Sequence, residues 1–191
     1  ARHTIIVYSV LGGIFLVFFS LWAFSNAILG AIASAMPTAW EQEIGAAAFK
    51  DLSRAIPMTE EPRLTNRLFL VTERLKKGFP SNPPKFTYYV GDDAMVNAFA
   101  LPGGKVIVMR GLLEEATPDE LAGVLAHEVS HVIQKHGMRQ LAQLVGPMLI
   151  AEYLFNGDGA VASLVAVSAM FSQLQYSRQN ESEADDKAWD I

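Results

Sequence analysis

Apolar positions crowd the first forty residues of the chain and then thin into periodic patterns. From Ile5 to Phe24 (IIVYSVLGGIFLVFFSLWAF) the run is almost unbroken. Roughly 20 such residues cross a ~30 Å hydrocarbon core as a helix, so this stretch predicts a membrane-spanning segment. Ser25 and Asn26 interrupt it, and a small-residue tail continues to about Ala35. Ala33-Ser34-Ala35 resembles a signal-peptide cleavage site, which makes a cleaved leader the alternative. The apolar run exceeds the ~7–15 residues of a signal core, and that favours a retained anchor over residues 1–40. Apolarity on all sides fits poorly with an ordinary core helix.

Beyond the anchor the pattern turns periodic. It predicts helices from Trp40 to about Ala55 and from Pro62 to Lys77, with Gly78 as a stop. Lys85-Phe86-Thr87-Tyr88-Tyr89-Val90 is aromatic and β-branched and reads as a strand. Two short apolar runs, Asn97–Leu101 and Lys105–Met109, flank Pro102-Gly103-Gly104 and predict a β-hairpin. Thr117-Pro118-Asp119-Glu120 opens another helix, with Thr117 as cap, proline in the first turn and Glu120 completing a capping box. Gly137 is its expected end.

Composition sharpens this division. Of 191 residues 51% are apolar and 18% charged, yet no Asp, Glu, Lys or Arg lies between His3 and Glu41. The length suits one domain, residues 41–191, plus the anchor. The net charge of −5 and the lack of a dense basic run exclude nucleic acid as a natural partner. Arg2 and His3 before the span, and Glu41 and Glu43 after it, put the N-terminus in the cytoplasm and the domain outside. That orientation predicts a single-pass protein of a bacterial inner membrane facing the periplasm. There is no cysteine, so any metal must be held by His and carboxylate.

The helix from Thr117 carries His127-Glu128-Val129-Ser130-His131, an HExxH pattern. Residues four apart lie about 40° apart around a helix and one turn along it, so both imidazoles can face one ion. Glu128 points about 100° away, where it flanks the ion as a general base. Leu121, Leu125, Val129, Val132 and Ile133 form an apolar arc of about 120°. The two histidines sit at its border with a polar face carrying Ser130 and Gln134. His136 falls inside the arc, roughly 160° from the pair, and reads as a packed or outer histidine, not a ligand.

A catalytic zinc needs three protein ligands and one open position. His3 lies at the membrane end, which leaves the acidic cluster Glu181-Ser182-Glu183-Ala184-Asp185-Asp186. On a helix Glu181 and Asp185 share a face; one binds the metal while the other accepts the N–H of a ligating imidazole. Spacing alone leaves open which does which. Tyr176 and Arg178 are candidates for stabilising an oxyanion.

Three blocks, Asn97-Ala98-Phe99-Ala100-Leu101-Pro102-Gly103-Gly104, His127-Glu128-Val129-Ser130-His131 and Tyr176-Ser177-Arg178-Gln179-Asn180-Glu181-Ser182-Glu183-Ala184-Asp185, together resemble the signature of metallopeptidase family 48. The resemblance covers about residues 60 to 191. It implies an α+β, zincin-like (gluzincin), mostly helical domain with a small β-sheet, behind the N-terminal transmembrane helix. It implies one Zn2+ held by His127, His131 and Glu181, with Asp185 as outer partner and Glu128 as catalytic base. It further implies that Asn97, Ala98, Phe99 and Ala100 form a strand beside the cleft, and an edge strand can pair with an extended peptide. The expected partners are a protein or peptide substrate, misfolded or membrane-associated, and the lipid bilayer. More helical structure is expected beyond Ile191.

Between the ligand blocks, Gln140 to Ala151 and Ala160 to Tyr176 are uncharged. They predict a buried helical hairpin turning at Asn156-Gly157-Asp158-Gly159, with a lipid-facing or gating element as the alternative. Two other functions compete with hydrolysis: a membrane-tethered chaperone or adaptor with a structural metal site, and a membrane subunit without metal. A closed structural site needs a fourth protein ligand, and the sequence offers no obvious one.

Overall fold

Residues 2–23, 31, 35–143 and 176–191 are described by the structure, a computed structural model. The apolar N-terminal run forms α1 (Arg2–Ala23). Among the described residues no helix is long and apolar enough to cross a membrane. Several α1 side chains, Val7 and Phe18 among them, lie outside the described set, so an unbroken span is not shown.

The rest is built around a four-stranded mixed sheet. Its elements are α2 (Thr38–Ala55), β1 (Met58–Thr59), α3 (Pro62–Leu75) with a 3-10 turn at Lys76–Gly78, β2 (Thr87–Gly91), β3 (Ala98–Leu101), a 3-10 turn at Pro102–Gly104, β4 (Lys105–Met109), α4 (Arg110–Glu115), α5 (Pro118–Ile133) and α6 (Arg178–Ala188). The strand order is β1-β2-β4-β3, with β2 and β4 parallel and the other pairs antiparallel. β3 therefore forms one edge. Helices, hairpin and strand fall where the pattern of apolar positions puts them.

Alternation splits the core in two. Val106 and Val108 of β4 face the side covered by α3 and α5, where Leu64, Leu68, Leu121 and Leu125 are buried. Ile107 and Met109 face the other side, packing with Ala48 and Leu52 of α2. The hairpin turn holds Gly103 at φ 75° and Gly104 at φ 86°, conformations that a side chain disfavours.

α2 lies hard against that turn. A Cβ on Gly45 would sit 1.8 Å from the carbonyl oxygen of Pro102. Gly45→Ala is therefore expected to force the helix off the hairpin and cost about 1–3 kcal/mol in a thermal or denaturant melt. Gly123, on the outer face of α5, has open space around it. Gly123→Ala should instead stabilise by roughly 0.5–1 kcal/mol. Equal melting of the two variants would contradict this packing.

One expectation is corrected on α5. The helix ends at Ile133, not Gly137, because Lys135 adopts φ 56° and turns the chain before residues 136–143 become helical again. The polar face beside the two histidines is covered by another element. Ser130 is fully buried, its Oγ donating to the Ala126 carbonyl at 2.7 Å, and Gln134 Nε2 donates to the Glu183 carbonyl. The reason is that α6 packs over this face, with Ala184 buried against α5. In the 136–143 stretch Met138, Leu141 and Ala142 are buried. The rest of the expected helical hairpin, 144–175, lies outside the described residues.

Candidate metal centre

α5 begins with the capping box expected of it. Thr117 Oγ1 accepts from the Glu120 amide at 3.3 Å, while Glu120 Oε2 accepts from the Thr117 amide at 2.7 Å. Those bonds satisfy two of the first-turn donors that a helix cannot pair internally. Three turns on, His127 and His131 project from one face with their Nε2 atoms 3.0 Å apart. α6 is capped by Ser177, whose Oγ accepts from the Asn180 amide, and it brings the acidic cluster to the same point. Buried Ala184 is small enough to let the two helices close on each other.

Glu181 Oε2 lies 3.3 Å from His127 Nε2, and Glu181 Oε1 lies 3.8 Å from His131 Nε2. One ligand atom from each of His127, His131 and Glu181 falls within 4.8 Å of the other two. Three ligands about 2.0–2.2 Å from a tetrahedral centre sit roughly 3.4 Å apart, so the spacing fits a zinc-sized ion. Asp185 does not join them; its Oδ1 meets His127 Nδ1 at 2.8 Å. A ring nitrogen facing a carboxylate carries the proton, which leaves His127 Nε2 bare. A bare Nε2 aimed at another imidazole nitrogen and a carboxylate is a donor set that suits a cation.

Glu128 flanks the group. Its Oε2 accepts from the Ala100 amide of β3 at 2.9 Å. Met109 N–H donates to the Asn97 carbonyl across the hairpin, so by antiparallel alternation Asn97 and Phe99 bond to β4 while Ala98 and Ala100 turn their backbone groups to the free edge. Beside Glu128 on the α2 side opens a cavity of about 290 Å³, lined chiefly by Leu52, Ile56, Met95, Phe99 and Met109. Tyr176 reaches the same cavity, and its ring stacks on His131 at 4.0 Å between centroids. Burial, with the charges of Glu128 and Glu181, pushes its hydroxyl well above the ordinary tyrosine range. Arg178 is exposed at the start of α6, and among the described residues it makes no hydrogen bond or ion pair with the site.

Burial pushes the Glu128 carboxyl up to about 7; Glu181 adds to the rise, and His127 and the Ala100 amide oppose it. Burial also pushes the His131 imidazole down to about 3, with His127 and His136 adding to the fall. That keeps the ring in its neutral, metal-binding form. In metal-free protein the two groups act with opposite signs. Glu128 holds its proton above the ordinary 4.5, so its contribution is complete below that value and lost as pH rises toward 7. His131 resists a proton that the unfolded chain takes up below 6.5, so its contribution is lost as pH falls toward 3. Melting of the metal-free Glu128→Gln variant is therefore expected to lose the decline between pH 4.5 and 7 and keep the acid one. An unaltered slope on the neutral side would contradict a protonated Glu128.

His136 is fully buried, with Nδ1 2.9 Å from His131 Nδ1 and Nε2 3.2 Å from Glu183 Oε2. Spacing marked it as packed or outer but did not single out Glu183, nor the bonds from Arg139 Nη1 at 2.7 Å and Gln179 Nε2 at 3.0 Å that hold its carboxylate. Glu183 stands about 200° around α6 from Glu181, and the only hint of its role was its place in the acidic block.

Several known proteins resemble this chain. The beta-barrel assembly-enhancing protease of Escherichia coli is 28% identical over 159 residues, covering 76% of this chain and 32% of the relative. The metalloprotease YcaL of Escherichia coli is 30% identical over 131 residues, 65% of this chain and 50% of the relative. The mitochondrial metalloendopeptidase OMA1 of Arabidopsis thaliana is 36% identical over 98 residues, 50% of this chain and 20% of the relative. The chain spans about a third of the length of the beta-barrel assembly-enhancing relatives. A profile of Peptidase family M48, a family of zinc-dependent metallopeptidases, matches residues 62–191, the stretch that contains strands β2 to β4 and both helices of the His-His-Glu group. With more than half its length matched, the chain belongs to Peptidase family M48.

Proposed function

We propose that this chain is a zinc endopeptidase that hydrolyses peptide bonds in extended protein segments. The observation that carries the reading is the convergence of His127 Nε2, His131 Nε2 and a Glu181 carboxylate on one point, with Glu128 beside it. Those three residues would hold the ion, and Asp185 would fix the His127 ring. When bound, zinc supplies Lewis-acid polarisation of the scissile carbonyl and an acidified water. Glu128 takes the proton of the attacking water and passes it to the leaving amine. Its anchorage to the Ala100 amide holds the carboxylate at the cleft before substrate arrives. Tyr176, beside His131 and facing the cavity, is placed to donate to the developing oxyanion.

The substrate is an extended strand laid along β3. Ala98 offers an outward N–H and C=O, and Ala100 its C=O, while Asn97 and Phe99 hold the strand to β4. A structural metal site in an adaptor would require four protein ligands; the described residues supply a group of three.

The same reading tethers the chain to a membrane through α1. Its 22 residues extend about 33 Å as a helix, and its described apolar side chains, Phe15 and Leu16 among them, are exposed. Exposed apolar surface of that extent calls for a lipid covering, with the domain on the periplasmic face of a bacterial inner membrane. Removal of misfolded or membrane-associated proteins is the role that fits an unspecialised edge strand in this position.

Two measurements test the reading. Elemental analysis should find about one zinc per chain, and chelation should stop cleavage of a casein-type substrate until zinc is returned; purified chain without zinc or turnover would refute it. Alkaline carbonate washing should leave the chain in the membrane pellet, and release into the supernatant would count against the tether.

A further inference from the structure

A histidine that binds metal through Nε2 carries its proton on Nδ1 and needs an acceptor there. Asp185 meets that need for His127. Among the described residues no carboxylate takes that position at His131. Its Nδ1 faces Nδ1 of His136 at 2.9 Å. Two ring nitrogens bond only when one has the hydrogen and the other lacks it. With the hydrogen on His131, His136 Nδ1 accepts, and the hydrogen of His136 sits on Nε2. That atom lies 3.2 Å from Glu183 Oε2. The Glu183 carboxylate is in turn held by Arg139 and Gln179.

We infer that His136, Glu183 and Arg139 form a positioning relay that fixes the tautomer and the ring orientation of His131, doing at one remove what Asp185 does for His127. The backbone supports this. On an unbroken helix His136 would lie roughly 160° from the ligand pair. The turn at Lys135, a non-glycine residue at φ 56°, swings it back under His131. Left-handed backbone at such a residue persists where the surroundings hold it, and it gathers at functional sites. Among the described residues Lys135 is the one non-glycine with positive φ. A second support is economy of donors and acceptors. His136 is fully buried, and as a neutral ring it uses both its nitrogens only in this arrangement.

The inference rests on reading His131 as a ligand, and the experiment separates the two. Zinc affinity of the full chain is measured by chelator competition, and Co2+ in place of zinc reports ligand geometry through its visible absorption. His131→Ala should abolish tight zinc binding; if it binds as the parent does, the metal reading fails. Glu183→Leu, at a partly exposed position, should weaken zinc by about 10–100-fold and shift the cobalt spectrum. Glu183→Gln keeps an acceptor oxygen and should recover most of that affinity. Arg139→Gln, also partly exposed, should weaken zinc severalfold in the same direction. The relay is overturned if His131→Ala loses zinc while Glu183→Leu and Arg139→Gln bind within twofold of the parent with an unshifted cobalt spectrum. A lower melting temperature alone, with zinc affinity kept, would mark the contacts as merely structural and overturn it equally.

Discussion

Glu128→Gln is expected to leave zinc bound at about one per chain while cleavage of an unfolded protein falls by roughly 10²–10⁴-fold. The substitution is chosen to remove one property only. Gln is isosteric, and its side-chain oxygen can still accept from the Ala100 amide that holds Oε2 at 2.9 Å, so the side chain stays at the cleft. The candidate ligands, His127, His131 and Glu181, are untouched. What is lost is basicity. Burial places the Glu128 carboxyl at about 7 in the metal-free protein, near the value at which a group both takes and returns protons efficiently at neutral pH. A bound cation nearby favours the ionised form, which keeps the base ready. Turnover within tenfold of the parent, with zinc retained, would remove Glu128 from the mechanism.

Glu181→Ala is expected to strip the metal itself. The Glu181 side chain is 44% exposed, so truncation opens no core cavity and any change reads the ion. Loss of a direct ligand should exceed the 10–100-fold typical of an outer partner. Stabilisation gives the sharper measurement. At free zinc one hundred times the dissociation constant, binding adds about 2.7 kcal/mol to the parent. A variant bound one hundred times more weakly gains only about 0.4 kcal/mol at the same zinc concentration. The zinc-dependent rise in melting temperature should therefore nearly vanish. A variant that melts with the parent's full zinc response would show that Glu181 is not a ligand.

Local signals were the legible ones. Thr117 and Glu120 make the capping box that their spacing announces, and the Pro-Gly-Gly turn closes the hairpin where two apolar runs demanded it. The one-turn separation of His127 and His131 follows from helix geometry alone, and the shared face of Glu181 and Asp185 likewise. Features that depend on distant partners were not legible. The parallel pairing of β2 with β4 needs β3 to pass outside both strands, and no turn chemistry encodes that. The end of α5 at Ile133 was missed because helix-stop rules look for glycine, whereas here Lys135 takes the left-handed conformation and its Nζ pairs with buried Glu41 of α2 at 2.7 Å. That Ser130 and Gln134 are covered was not legible, because the helix packed over them lies about fifty residues later. For the same reason Glu183 was not picked out: its partner is on another element.

That distance of fifty residues between His131 and Glu181 governs when the site can exist during biosynthesis. A ribosome that has released α5 but not α6 has produced a chain with two of the three donors and no outer partner for His127. Bringing the ends of such a loop together costs about 3.5 kcal/mol of chain entropy by the three-halves law, before any reward from the ion. On the proposed mechanism a growing polypeptide would thus lack the complete His-His-Glu set, which is assembled only when the acidic helix docks.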